Sequence, residues 1–269
     1  MAAGGTVDGM ADDNTRARGA ELLRLHRDPE LLTVVNVWDV VSARVVAGIP
    51  GTTALATASH SIAATYGYDD GESIPVDLML EMVGRIAAST HLPVTADLEG
   101  GYGDAAETVR RAIGLGVVGA NIEDQMKPLP EAARQVEAVM KAADDEGVDF
   151  VLNARTDAFI HAGDRDPGEV MADAIERGRA YLDAGAPVFF AVGRLDEAQV
   201  SELVGALGEQ RVTLIGIPGM PPLARLEELG VARVSYGPMP QNVALTALAE
   251  LVEEVHRGGG VPRTMRMLN

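Results

Sequence analysis

A closed barrel of eight parallel strands, each followed by a helix, is the fold this sequence predicts, and three observations predict it. A unit recurs along the chain: a helix-like stretch ends in glycine, a short β-branched run follows, and that run stops at a polar or charged cluster. Eight such runs fit in 269 residues, an ordinary length for a (β/α)8 barrel of the TIM type. The apolar set is aliphatic, with 47% hydrophobic residues against 4% aromatic ones, which suits helices packed over a parallel sheet better than a sandwich. Strands alternating with helices imply right-handed crossovers. A doubly wound open sheet is the alternative, but no Gly-x-Gly-x-x-Gly opens a helix after the first strand.

The elements follow in order. Residues 1–13, small, polar and glycine-rich, are expected to form a disordered tail, with one barrel domain over 14–269. The first strand, near 33–37, ends in Asn36-Val37-Trp38-Asp39. Ala47-Gly48 stops a helix before the second strand, 53–57, which ends in Thr57-Ala58-Ser59-His60; a long loop then carries Tyr66 to Glu72. A helix over 76–89 leads to the third strand, 93–97, which breaks off at Asp97-Leu98-Glu99 and the turn Gly100-Gly101-Tyr102-Gly103. Asp104 with Glu107 reads as the cap and capping box of a helix over 104–115. The fourth strand, 119–123, ends in Glu123-Asp124, and a helix over 130–146 follows. The fifth strand, 149–154, runs into Asn153-Ala154-Arg155-Thr156-Asp157. Helices over 168–184 and 196–208 then alternate with strands at 187–192, 212–217 and 232–236, and a helix over 240–257 closes the series. Gly48, Gly116, Gly185 and Gly230 each fit the left-handed position that stops a helix.

Composition narrows the function. A net charge of −18 disfavours nucleic acid and anionic membranes as partners. Cysteine is absent, which excludes disulfides, thiolate metal sites and a thiol nucleophile. No apolar run approaches the roughly 20 residues of a membrane helix, and no basic-then-apolar leader opens the chain, so a cytoplasmic protein is expected.

In parallel β/α proteins the site lies at the carboxyl ends of the strands. Asp97 and Glu99, two apart on an extended backbone, share one face there, and two adjacent anions need a cation near them. Glycines at 100, 101 and 103 let backbone approach whatever is bound. Oxygen ligands without histidine or cysteine favour a hard cation, Mg²⁺ or Mn²⁺. Because Mg²⁺ usually keeps waters, some of Asp70, Asp97, Glu99 and Glu123 would act through water. Arg155 is suited to grip a substrate carboxylate in bidentate fashion. Simpler readings stand beside these. Asp104 is a helix cap, Asp124 and Asp157 orient neighbours, His60 is a bystander and Trp38 is packing. For Asp97, Glu99, Glu123 and Arg155 the simpler reading is an ion-pair network, which the excess of carboxylates over arginine argues against.

Six segments together, in order from about residue 20 to 240, resemble the isocitrate lyase/phosphoenolpyruvate mutase superfamily. They are Asn36-Val37-Trp38-Asp39 with Ser42-Ala43, Thr57-Ala58-Ser59, Gly67 to Glu72, Asp97 to Gly103, Asn121-Ile122-Glu123-Asp124 and Asn153 to Asp157. The resemblance implies a barrel whose last helix is exchanged between subunits of a homodimer or homotetramer. It implies Mg²⁺ held directly at Asp97, with Asp70, Glu99 and Glu123 helping through water. It implies a small carboxylic acid bound near Trp38, at Thr57, Ala58, Ser59 and Gly100, and by Arg155, with catalysis by Arg155, Glu123 and Asp70. The reactions of the superfamily make or break C–C or P–C bonds beside a 2-oxo acid group through an enolate-like intermediate.

The chain departs from that pattern in two places. The Lys-(Lys/Arg)-Cys-Gly-His loop of the lyases is missing, and Glu123-Asp124-Gln125-Met126-Lys127-Pro128-Leu129-Pro130 runs directly into the next helix. Glu99 stands where many relatives show Asp. The reading is therefore a Mg²⁺-dependent lyase or C–C hydrolase for a small 2-oxo or 2-hydroxy (di)carboxylate. P–C chemistry on phosphonopyruvate and a non-catalytic acid-binding member are the alternatives.

Overall fold

The protein's computed structural model describes residues 11–268. The Asp12 carboxylate accepts from the Thr15 amide at 2.7 Å, satisfying one of the donors a helix start leaves unpaired, and α1 (Asp13–Arg27) follows. Of the expected tail, residues 1–10 lie outside the described residues, while Asp12 and Asp13 belong to this cap and helix. α1 lies across the amino end of the barrel and buries Leu22 and His26.

The expected strand at 33–37 is two pieces, β1 (Leu32–Val34) and β2 (Asn36–Val37), separated by the 37%-exposed Val35. β3 (Leu55–Thr57), β4 (Val94–Asp97), β5 (Gly119–Glu123), β6 (Val151–Thr156), β7 (Val188–Ala191), β8 (Val212–Ile215) and β9 (Arg233–Ser235) complete one sheet in the order β1-β9-β8-β7-β6-β5-β4-β3-β2. Every pairing is parallel. The two ends of that order are joined through Val35, so one stretch of chain pairs with β9 by its first half and with β3 by its second. The ring closes there as a (β/α)8 barrel. At Gly119, which opens β5, an added Cβ would lie 2.8 Å from the Val151 carbonyl oxygen of β6 and 2.9 Å from Leu22 Cδ2 of α1, so no larger residue fits between the strand and the helix without a shift.

Outside the ring lie α2 (Val40–Ala47), α3 (Ser59–Tyr66), α4 (Val76–Ala88), α5 (Ala105–Gly114), α6 (Leu129–Asp145), α7 (Pro167–Asp183), α8 (Glu197–Leu207), α9 (Leu223–Glu228) and α10 (Met239–His256). Asp104 caps α5 by accepting from the Glu107 amide at 3.0 Å, and Asp196 caps α8 in a full capping box. Two expectations change. Gly48 keeps a right-handed φ of −78°, and the left-handed turn comes at Gly51 (φ +91°). The long loop expected after the second strand begins as a helix, α3, because Ile62 and Ala63 bury against the core before Gly67 stops it at φ +80°.

α10 leaves the barrel. Gln241 is its one buried residue, donating to the Ser61 carbonyl at 3.1 Å. Val243, Leu245, Leu248, Val252 and Val255 are 45–70% exposed. Among the described residues no helix is long and apolar enough to cross a membrane.

Candidate active site

Asp97 ends β4 at the carboxyl mouth of the barrel, and its neighbours hold it firmly. Its amide donates to Thr57 Oγ1 at 3.0 Å. Its Oδ2 accepts from the Ser59 amide at 3.2 Å and from Ser59 Oγ at 2.8 Å. Ser59 opens α3, so the carboxylate rests on a helix N-terminus, where unpaired amides and the helix dipole favour an anion. The other oxygen, Oδ1, is buried with no hydrogen-bond partner among the described residues. A carboxylate oxygen in that state is costly unless something positive meets it.

Glu99 follows in the left-handed region, at φ +52°, which turns its buried side chain back beside Asp97. It accepts from the Glu72 amide and, at 3.2 Å, from Tyr102 OH, while Glu72 Oε1 accepts from the Tyr102 amide at 2.6 Å. The loop bearing Asp70 is thereby tied to the glycine-rich turn. Burial pushes Glu99 up to about 7; the Glu72 amide and Tyr102 oppose that, and the charges of Asp70 and Asp97 add to it.

Glu123, at the end of β5, stands in register with Arg155 of β6, and Arg155 Nη1 lies 2.8 Å from its Oε2. Arg155 Nε donates to Asp157 Oδ1 at 2.8 Å. Burial pushes Glu123 up to about 8, with Arg155 pulling the other way and Asp157, Asp97 and Glu99 reinforcing the rise. Burial works against the Arg155 charge, yet Glu123, Asp157 and Asp97 raise its pKa overall. Burial likewise raises Asp157, against Arg155. Asp124 is a structural tie: Oδ2 accepts from Thr156 Oγ1, Tyr181 OH and Arg177 Nη1 at 2.7, 2.7 and 3.1 Å.

A cavity of about 120 Å³ opens beside Asp97 and Arg155, and Glu99 and Glu123 stand behind its lining rather than in it. Of the residues expected from the sequence it is lined by Asp97, Asp70, Arg155, Ala58 and Ser59, and by His60 as well. Thr57 and Gly100 are buried outside it. Thr57 supports the Asp97 amide, and Gly100 lies so close to the Gln125 side chain that a Cβ there would collide with it. Trp38 lines a neighbouring apolar cavity with Val41, Val45 and Pro240 instead, because the break after β1 and the capping box at Asp39 turn the chain outward there. Sequence reasoning missed Asn36, Asn121, Phe190, Ile215 and Ser235 as lining. For Asn121 a signal existed: it lies two residues before Glu123 on the same strand, hence on the same face.

The donor set fits a hydrated hard cation. One buried carboxylate oxygen lacks a partner, and among the described residues no three acidic or imidazole side chains converge on one point. Asp97 would then bind directly and its acidic neighbours through water, as Mg²⁺ usually requires.

The chain is similar to several known proteins. The model of a family described as phosphoenolpyruvate phosphomutase matches residues 22–256. The oxaloacetate decarboxylase of Ectopseudomonas mendocina is 29% identical over 232 residues, covering 81% of this chain and 78% of its own. A candidate phosphonomutase from Burkholderia cenocepacia has a crystal structure that superposes with a TM-score of 0.84 at 40% identity, covering 91% of this chain and all of the other. Oxaloacetate acetylhydrolase in complex with 3,3-difluorooxalacetate gives a TM-score of 0.83 at 25% identity, covering 95% and 92%.

Proposed function

Because the chain belongs to the phosphoenolpyruvate phosphomutase family, we propose that it is a divalent-cation-dependent C–C lyase or hydrolase. Its substrate would be a small 2-oxo or 2-hydroxy (di)carboxylate that reacts through an enolate-like intermediate. The observation that carries this reading is the partnerless buried oxygen of Asp97 beside Glu99, Asp70 and Glu123. Mg²⁺ or Mn²⁺, when bound, supplies positive charge for the substrate oxygen that becomes anionic as the bond breaks. Asp97 would hold it directly, with Asp70, Glu99 and Glu123 reaching it through water. Arg155, fixed on two sides by Glu123 and Asp157, holds the substrate carboxylate. Both Ser59 donors are engaged by Asp97, so Ser59 orients the cation's ligand and leaves the substrate to its neighbours. Asp70, which lines the cavity, takes up the proton that the reaction releases. The names of the relatives support the acid class, through oxaloacetate decarboxylase and oxaloacetate acetylhydrolase.

The experiment is a product-release assay with Mg²⁺ on oxaloacetate, substituted malates, methylisocitrate and phosphonopyruvate, for wild type and Asp97→Ala. Turnover of a C–C substrate that disappears in Asp97→Ala supports the reading, and turnover unchanged in the variant sinks it. The likeness to a candidate phosphonomutase favours a second reading, P–C chemistry, which activity confined to phosphonopyruvate would establish. The link from β5 to α6 is only residues 124–128, too short for a covering lid. Uptake of Mg²⁺ and oxalate with no turnover on the whole panel would mark a non-catalytic acid binder. The exposed apolar residues of α10 support a homodimer or homotetramer in which this helix docks on a neighbouring subunit.

A further inference from the structure

Arg233 lies inside the barrel and is 1% exposed, in a layer that branched aliphatic side chains usually fill. It belongs to a chain of polar groups. Thr213 Oγ1 donates to Asn153 Oδ1 at 2.5 Å, and Asn153 Nδ2 donates to Asn121 Oδ1 at 2.7 Å. Arg233 Nη2 reaches Asn121 Oδ1 at 3.4 Å and Ser235 Oγ at 3.3 Å. A guanidinium carries donors and no acceptor, so whatever it meets must present an acceptor. Asn121 Oδ1 therefore faces two donors, which turns its NH₂ group away from both, and among the described residues no protein acceptor takes it. Ser235 Oγ accepts from Arg233, so its own proton points elsewhere. Both residues line the cavity that holds Asp97 and Arg155.

We propose that Asn121 Nδ2 and Ser235 Oγ form a two-donor subsite for an oxygen of the substrate anion, with Arg233 as the positioning residue that sets their polarity. The proposal rests on the functional reading above. Neutral donors held in one orientation suit an oxygen whose negative charge grows during reaction, since they need not reorganise as it does. Arg155 stands on β6 and lines the same cavity, so the subsite adds neutral donors to the charge with which the arginine grips the acid.

The test is calorimetric titration of oxalate at saturating Mg²⁺, and of Mg²⁺ alone, on wild type, Ser235→Ala, Asn121→Asp, Arg233→Met and Arg233→Lys. Ser235→Ala is expected to weaken oxalate about ten-fold, with Mg²⁺ affinity within about two-fold of wild type. Asn121→Asp, which puts an anion where a donor stood, weakens it further. Arg233→Met does the same, and Arg233→Lys restores part of the loss, which a purely space-filling role would not do. Should Arg233→Met fail to fold, the small change Ser235→Ala still tests the subsite. Oxalate binding within about two-fold of wild type in both Ser235→Ala and Asn121→Asp overturns the subsite alone. A wild type that binds no oxalate removes the subsite and the functional reading together.

Discussion

Among single residues Asp97 matters most, because one of its oxygens is satisfied and the other is not. Asp97→Asn keeps an acceptor for the two Ser59 donors and replaces the partnerless charge with a neutral group. The expected result is a protein that melts like wild type without metal. It would lose the Mg²⁺-induced rise in melting temperature, which at 100-fold excess over Kd amounts to about 5 °C or more. An equal rise in both proteins would remove Asp97 as the anchor. His26 illustrates a different buried group. Its Nδ1 lies 2.8 Å from the Leu22 carbonyl and its Nε2 has no partner among the described residues, and burial, aided by the Arg233 charge, pulls it down to about 3. Folded His26 stays neutral while the unfolded chain protonates below about 6.5, so the unfolded state binds the extra proton between those values. Stability therefore falls with pH from about 6.5 towards 3, by about 2 kcal/mol at pH 5. Urea unfolding at pH 7 and pH 5 should show a smaller loss for His26→Gln than for wild type; equal losses would refute the assignment.

At the scale of elements, the β4–α5 turn does more than connect. Gly101 sits at φ +95°, and a Cβ there would run into the backbone and Cβ of Ala105 at the start of α5. Glu99 and Tyr102, also at positive φ, are set by the same turn and tied to Glu72. Gly101→Ala should cost about 2 kcal/mol or more in denaturant unfolding and weaken Mg²⁺ as well, since the turn aims Glu99. A variant of wild-type stability would show that the turn tolerates a side chain. The strands were readable in the sequence as short β-branched runs ending in polar clusters, because a buried parallel strand needs an apolar run and the mouth needs chemistry. The split of the first strand was not readable: Val35 looks like any strand residue, and only closure of the ring makes its two halves serve different neighbours. Nor was α3 readable behind a polar stretch beginning Ser59-His60-Ser61. Its buried Ile62 and Ala63 acquire their meaning from the core they meet.

For the whole molecule, the exposed apolar residues of α10 predict assembly. Val243, Leu245, Leu248, Val252 and Val255 would form a sizeable apolar surface on a monomer in water. Light scattering on the eluting protein should give a dimer or tetramer, and Leu245→Asp with Leu248→Asp should shift it towards monomer. A wild type that runs as a monomer at every concentration would overturn the exchanged-helix expectation.

The sequence alone determined the alternation of strands and helices, and with it the end of the barrel where acids gather. It also made Asp97, Glu99, Glu123 and Arg155 the candidates for the chemistry, since residue type and spacing of two along a strand are local properties. What only the tertiary structure decided is which of those groups lack partners and which are saturated: Asp97 Oδ1 stands alone, whereas Asp124 is fully engaged. It also moved Trp38 to a neighbouring cavity and brought Asn121, Ser235 and Arg233 together from strands far apart in the chain. Hydrogen-bond satisfaction and electrostatic balance belong to neighbours in space, and closing the ring is what makes those neighbours.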